Sequence, residues 1–537
     1  MEFYAKTMKQ SKAVSKNVMF VCFLLLIISI LVVFGSCLNN YFIGDDFPWI
    51  THSIKMKLDF FNALLERYTW LISSITFYLN LLLFGTNPAG FYLTNILIHA
   101  ANVILLGIFT YYLTNNRFMS FLVMLLWGFN AQGVEAVFWL TGRAHSMLLL
   151  FILGALTGFI AWRKTKNTYL LVISIICSVL AHLTLFNAVI IPALILAYIY
   201  LFEKRRKKDY FYPVKTTAPY IIVTLTYLIF YLFIKTTLPA SVYYKFDLSL
   251  LMNFGKYIFD YADFLYLNYR LDFSSTVIII IGTVSTILFA LFLFLTKDKV
   301  VKFGLLWIPI TMAAYLPVPA VNYFQYSRYR YIPIAGFCIV LGSIITGLFE
   351  APKKKKPGYL RLGINILAAI FIAIFLITNI YYVHLEQKGY KLFGNYHKLL
   401  ADSLNINTPP SNFQKDKTII FINYYNFNAP KYVNMQIKMP RPMFVRAYAP
   451  LGLIYIEDLI NFCNYKENTD GIFTIDYSRN SLSTSISTGK YLGLQFTKNG
   501  FSYFVLNENN AGNIIEEWNK MPEFPPNISI INWKEKP

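Results

Sequence analysis

Three clusters of ionisable residues stand at the edges of long apolar blocks, and their types fit the handling of a proton and of a phosphate. The first is Gly44-Asp45-Asp46-Phe47, which follows an uncharged run from Val18 to Phe34. Two adjacent carboxylates beside a membrane boundary are costly unless they are paired or used. One can act as a general base with the other orienting it. The pair could also share a divalent cation, since hard cations prefer carboxylate oxygens. A solvated loop is the plainer alternative. The second cluster, Asn130 to His145, holds Glu135, Trp139, Arg143 and His145 between two apolar blocks. The third is Tyr326-Ser-Arg328-Tyr-Arg330-Tyr331-Ile-Pro333. Arginine matches phosphate oxygens with a rigid fork of donors. Ion pairs at helix ends, or snorkelling to lipid headgroups, would explain the same residues without chemistry.

The elements that must position these clusters are membrane helices. Only 14% of the 537 residues are charged and 56% are hydrophobic, too little charge for a water-exposed surface. The apolar residues come in long blocks, among them Val172–Phe202, Tyr220–Ile234, Val277–Leu295 and Ile364–Tyr382. About 20 apolar residues span a bilayer as a helix. The first block is too long for a signal-peptide core and Phe34 fits a cleavage site poorly, so a retained helix is expected. Five cysteines scattered singly give neither a disulfide framework nor a zinc spacing.

The net charge of +21 reflects basic connections, not a nucleic-acid surface. Basic clusters occur at Lys6–Lys16, Arg117, Arg163–Lys166, Lys204–Lys208, Lys297–Lys302 and Lys353–Arg361, and the connections between them are less basic. The positive-inside rule then predicts about 11 spans, with a cytoplasmic N-terminus and an extracytoplasmic C-terminus. Residues 1–383 form the multi-span part in this scheme, with a long outer loop over 39–90 whose helices lie in the interface. A second outer connection, Pro239–Phe273, is rich in tyrosine and amphipathic around Leu248–Tyr266. From His384 the chain turns polar. Strand-like runs at Thr418–Tyr424, Ile472–Tyr477 and Phe501–Leu506 alternate with helix-like ones at Ile454–Phe462 and Asn513–Lys520. An extracytoplasmic α/β domain over 384–537 follows, without internal repeats.

Several of these stretches resemble one family. Trp70-Leu-Ile-Ser, Leu83-Phe-Gly-Thr-Asn-Pro-Ala-Gly90 and Phe91-Tyr-Leu-Thr-Asn95-Ile-Leu-Ile-His99-Ala are similar to a stretch of bacterial membrane glycosyltransferases of the GT-C superfamily. Those enzymes are relatives of the transmembrane-and-tetratricopeptide O-mannosyltransferases. Val134–Arg143 is similar to the family loop ending in Gly-Arg, and Ser327–Gly336 to its Glu-Arg-Tyr segment. The resemblance covers roughly residues 40–345 in order. The chain departs from the pattern at Asn130 and Gly133 (histidines in the family), His145 (aspartate), Ser327 (glutamate) and Thr184-Leu185-Phe186. It has no tetratricopeptide pattern.

The resemblance implies a GT-C-like polytopic fold and transfer of a sugar from a polyprenyl-phosphate donor to a glycan or protein acceptor at the outer membrane face. Asp45 or Asp46 would be the base, with Glu135 orienting an arginine or the acceptor. Arg143, His145, Arg328, Arg330 and Tyr331 are the candidates for donor and phosphate. Membrane lipids are partners in any case. A transporter or flippase of lipid-linked saccharides would carry ionisable residues in mid-span, whereas these gather at helix ends. A non-catalytic scaffold presenting the C-terminal domain would need neither the acidic loop nor the outer arginines.

Overall fold

The computed structural model describes residues 20–203, 211–234, 249–266, 275–316, 327–350, 358–403, 418–422, 472–476, 491–497, 500–506 and 528–534. The chain is an α-helical, multi-pass membrane protein. Six of the described helices are long and apolar enough to cross a bilayer: Phe20–Asn39 (α1), Pro88–Thr114 (α5), Leu140–Thr165, Tyr212–Phe233, Pro333–Glu350 and Leu362–Lys391. Five shorter apolar helices accompany them, at Leu71–Phe84, Arg117–Gly128, Thr168–His182, Phe186–Phe202 and Ile279–Leu295. The first block is indeed a helix. Side chains such as Phe233, Phe294, Leu295 and Val32 stay largely exposed, as lipid-facing positions do.

The remaining elements are α2 (Asp46–Leu58), α3 (Phe60–Glu66), α4 (Leu71–Phe84), α6 (Arg117–Gly128), the short α7 (Glu135–Phe138), α8 (Arg143–Thr165), α9 (Thr168–His182), α10 (Ile191–Phe202), α11 (Tyr212–Ile234), α12 (Ser249–Ala262), α13 (Ser275–Leu295), α14 (Lys299–Met312), α15 (Pro333–Glu350) and α16 (Gly358–Ser403). The chain divides into two compact units. One comprises residues 1–38, 67–73 and 92–385; the other comprises 39–66, 74–91 and 386–537.

In the first unit the basic turns gather at one end of the bundle. Arg163 donates from Nε to Glu203 Oε1 at 2.6 Å, and Tyr212 Oη donates to Glu203 Oε2 at 2.6 Å. Lys164 Nζ donates to the Tyr112 carbonyl, and Asn116 Nδ2 donates to Glu350 Oε1 at 2.8 Å. Polar caps start the helices that leave this end. Asn116 accepts from Met119 N, Asn167 from Tyr169 N, and Asp298 from Val300 N and Val301 N. Each cap satisfies a helix N–H that lipid could not. Tight turns separate the helix pairs, with Asn115 and Lys166 in left-handed backbone at φ 55° and 62°.

Small residues bring helices together where no water is available to drive association. A Cβ on Gly304 of α14 would lie 2.8 Å from the Gly336 carbonyl oxygen, and one on Gly336 of α15 would lie 2.6 Å from that of Gly304. Leucine at position 304 must therefore push the helices apart. We expect Gly304→Leu to destabilise by about 1–3 kcal/mol or more, seen as a lower unfolding temperature in detergent. An unchanged melting curve would rule out this contact.

The second unit contains α2, α3, α4 and a five-stranded sheet: β1 (Thr418–Ile422), β2 (Ile472–Asp476), β3 (Tyr491–Thr497), β4 (Gly500–Leu506) and β5 (Ile528–Lys534). The strand order is β2-β5-β1-β3-β4. β1 and β3 run parallel, and the other neighbours are antiparallel. β3 and β4 form a hairpin in which Thr497 faces Gly500. The runs expected to be strands fall on β1, β2 and β4. β3 and β5 were not anticipated, and the helix-like runs Ile454–Phe462 and Asn513–Lys520 lie outside the described residues.

Candidate active site

The outer connection after α6 folds into three short turns, Ala131–Gly133, α7 and Leu140–Gly142, before α8 begins at Arg143. Helix α5 carries polar residues at 95, 99 and 102, a spacing that puts them on one face, and this face supports the turns. Asn95 Nδ2 donates to the carbonyls of Val137 (3.1 Å) and Trp139 (3.3 Å), while Asn95 Oδ1 accepts from Arg143 Nε at 2.6 Å. Arg143 is wholly buried. Its bond to Asn95 holds the loop from beneath.

The segment Ser327–Arg330 is a single 3-10 turn, and its two arginines meet two different carboxylates. Arg328 donates to Glu135 twice, from its backbone N to Oε2 at 2.8 Å and from Nη1 to Oε1 at 2.7 Å. Arg330 Nη2 reaches Asp260 Oδ2 of α12 at 2.5 Å. The Glu135 side chain is 2% exposed against 16% for Arg328, while Arg330 and Asp260 are 6% and 7% exposed. Arg328 is thus the more open cation. Gly133 permits the docking of this turn, since a Cβ there would lie 3.0 Å from Tyr331 Cα.

Aromatic rings enclose the arginines. The Arg328 Cζ lies 4.8 Å from the centre of Trp139 and 5.0 Å from that of Tyr329, and Arg330 Cζ lies 5.4 Å from Tyr257. Tyr329 stacks on Tyr315 at 4.6 Å, and Tyr315 Oη bonds to His145 Nδ1 at 3.1 Å. Burial pushes the Tyr257 phenol up to about 12, despite the opposing pull of Arg330. Burial raises Tyr261, Tyr315 and Tyr331 as well. These phenols stay protonated at neutral pH and can donate hydrogen bonds. Tyr331 is already engaged, with Oη at 2.8 Å from His99 Nδ1 and accepting from Asn102 Nδ2 at 3.2 Å. Among the described residues, Arg143, Arg328 and Arg330 stand in these turns with the carboxylates of Glu135 and Asp260.

Glu135, Arg143, His145, Arg328, Arg330 and Tyr331 all belong to the first unit; Asn95, Trp139, Tyr315 and Tyr329 connect the first four, while Arg330 is held by Asp260 and Tyr331 by His99 and Asn102. Asp45 and Asp46 belong to the second. There Gly44 adopts φ 45° and starts the turn into α2. Ile43 N donates to Asp46 Oδ2 at 3.0 Å, and Asp46 N donates to the Ile43 carbonyl at 2.9 Å. Asp46 is buried in this reciprocal turn. Asp45 is half-buried and makes no side-chain capping bond to the helix it precedes. The geometry separates the roles: Asp46 holds the turn, and Asp45 presents the more accessible carboxylate.

Among the described residues, no three His, Cys, Asp or Glu side chains gather as around a metal ion. A divalent cation at the acidic loop would have Asp45 and Asp46 as its carboxylate ligands. Asp260 and Asn95 were not singled out as site residues from sequence. The amphipathic pattern of α12 and the 95/99/102 spacing on an otherwise apolar helix are the signals that could have found them.

No protein-family model matches the chain, and no curated protein matches it. Among solved structures it is similar to ArnT from Cupriavidus metallidurans, in the form bound to undecaprenyl phosphate (10% identity, TM-score 0.45, covering 95% of this chain and 97% of that one). The apo state of the same protein gives a TM-score of 0.48 at 10% identity, over 97% and 98% of the two chains. An oligosaccharyltransferase from Archaeoglobus fulgidus, tethered to an acceptor peptide, gives 0.43 at 11% identity, over 91% and 74%. No residue role follows from likenesses at this level.

Proposed function

We propose that this chain is a membrane glycosyltransferase that moves a sugar from a polyprenyl-phosphate-linked donor to a hydroxyl of a glycan or protein acceptor at the outer face of the membrane. The observation that carries the proposal is the paired-arginine turn at Ser327–Arg330, held by Glu135 and Asp260 and enclosed by protonated phenols. Such a site can neutralise a lipid phosphate as it departs. For a hydroxyl acceptor, Asp45 removes the proton as the acceptor oxygen bonds to the anomeric carbon. The bond from that carbon to the phosphate oxygen breaks, and its electron pair leaves with the polyprenyl phosphate. Arg328 and Arg330 bind the phosphate. Arg143 and His145 brace the loop and the aromatic stack beside them, and Glu135 fixes Arg328. Tyr331 anchors the arginine turn to α5.

The direct test offers labelled polyprenyl-phosphate sugars, as a lipid extract, to the purified protein. Release of free polyprenyl phosphate together with labelled acceptor is expected. Within this assay Arg328→Lys keeps the charge but loses the fork, and should raise the donor KM by about tenfold. A donor KM unchanged in this variant would remove Arg328 from phosphate binding.

A further inference from the structure

The last turns of α16 belong to the same unit as the acidic loop, and two positions three residues apart on that helix touch it. At Gly394 the backbones approach so closely that a Cβ would lie 2.8 Å from Tyr41 N and 3.2 Å from Tyr41 O. At position 397 the imidazole is 4% exposed. The Gly44 N–H donates to His397 Nε2 at 3.2 Å, and the imidazole centre lies 5.8 Å from the ring of Phe47. A backbone N–H can only donate, so Nε2 must be the accepting nitrogen, and His397 holds its proton on Nδ1. The bond ends on the residue immediately before the acidic pair. Gly44 stands in left-handed backbone at φ 45°, so a small rotation there redirects both carboxylates.

We infer that His397 is a positioning residue for Asp45. Its Nε2 fixes the N–H of Gly44, the residue before the one that carries the carboxylate, and Gly394 provides the close approach that brings the imidazole within reach. The inference rests on Asp45 being the base in the proposed transfer, but its geometric half can be tested without any substrate. Nothing in the transfer requires an imidazole to touch the sugar, so His397 acts through the loop. A histidine that merely filled the space would be replaced equally well by any side chain of similar size. A positioning acceptor is replaced only by another acceptor.

The experiment uses the full-length chain in membranes and compares His397→Leu with His397→Gln, whose side-chain oxygen can take the place of Nε2. In the first arm each substitution is combined with Asp45→Cys. The labelling rate of that thiol by a maleimide is read by mass spectrometry of its peptide. His397→Leu should change the rate by about fivefold, the scale of one lost hydrogen bond, and His397→Gln should restore it. In the second arm, with Asp45 intact, His397→Leu should lower kcat for labelled polyprenyl-phosphate sugar by about tenfold with the donor KM unchanged, and His397→Gln should recover most of it. Gly394→Val, which displaces Tyr41, should act like His397→Leu in both arms. Equal labelling rates in all backgrounds overturn the inference, as does equal loss in His397→Leu and His397→Gln. A labelling pattern as expected, in a chain whose Asp45→Asn variant transfers sugar normally, would uphold the geometry and reject the proposed role of Asp45 instead.

Discussion

Sugar transfer by Asp45→Asn is expected to fall by about 100-fold or more, the scale of a positioned general base. Asparagine keeps the shape of the side chain but cannot take a hydroxyl proton at neutral pH. The fold should survive, because asparagine fills the same space and Asp45 is only half-buried. Asp46→Asn should behave differently. Asp46 Oδ2 accepts from Ile43 N, and the amide can still accept there, so its loss should be smaller and accompanied by a loosened loop. Donor affinity should persist in both variants if the arginines hold the phosphate. Loss of donor binding restored by excess divalent cation would indicate a metal-holding pair. Normal transfer by both single variants and by the double variant would sink the assignment of the acidic loop.

The largest effect on stability is expected from Asp260→Ala. Asp260 and Arg330 face each other at 2.5 Å with side chains 7% and 6% exposed. Removing the carboxylate leaves a buried guanidinium without its counter-charge, which costs about 3–5 kcal/mol. The protein should therefore unfold at markedly lower temperature in detergent. Replacing both partners, as Asp260→Leu with Arg330→Met, should return much of the lost stability, since two apolar side chains incur no such penalty. The double variant should nevertheless bind donor poorly, because one of the two arginines offered to the phosphate is gone. A single Asp260→Ala variant as stable as the parent would show that Arg330 is not confined in this pair.

Much of this architecture was legible because membrane helices announce themselves. Blocks such as Val277–Leu295 and Ile364–Tyr382 carry enough apolar length to specify spans without knowledge of their neighbours, and α13 and α16 cover them. The pairing of Glu135 with Arg328 was less accessible. Glu135 reaches a residue 193 positions away, a contact that no local spacing reveals, and Arg143 Nε meets Asn95 of another helix. The partner of Arg330 was hidden for another reason. Asp260 sits in an amphipathic helix where an aspartate looks like part of a solvated face. Strand β3 escaped notice because Tyr491–Thr497 includes Gly493 and Gln495, which weaken the alternation that betrays a strand. β5 needed its partners to be seen, since it lies between β2 and β1, both far away in sequence.

The brevity of two helices has a consequence for what must surround them. Arg117–Gly128 and Lys299–Met312 contain 12 and 14 residues, so they rise only about 18 and 21 Å from the basic end of the bundle. A hydrocarbon core is about 30 Å thick. The turns that follow Gly128, with Glu135 among them, thus begin well below the level reached by α5, whose 27 residues extend about 40 Å. Irregular backbone at membrane depth is tolerated only where protein covers it, and most of the residues of both short helices are buried against their neighbours. The shortfall in length is therefore filled by the surrounding helices and not by lipid.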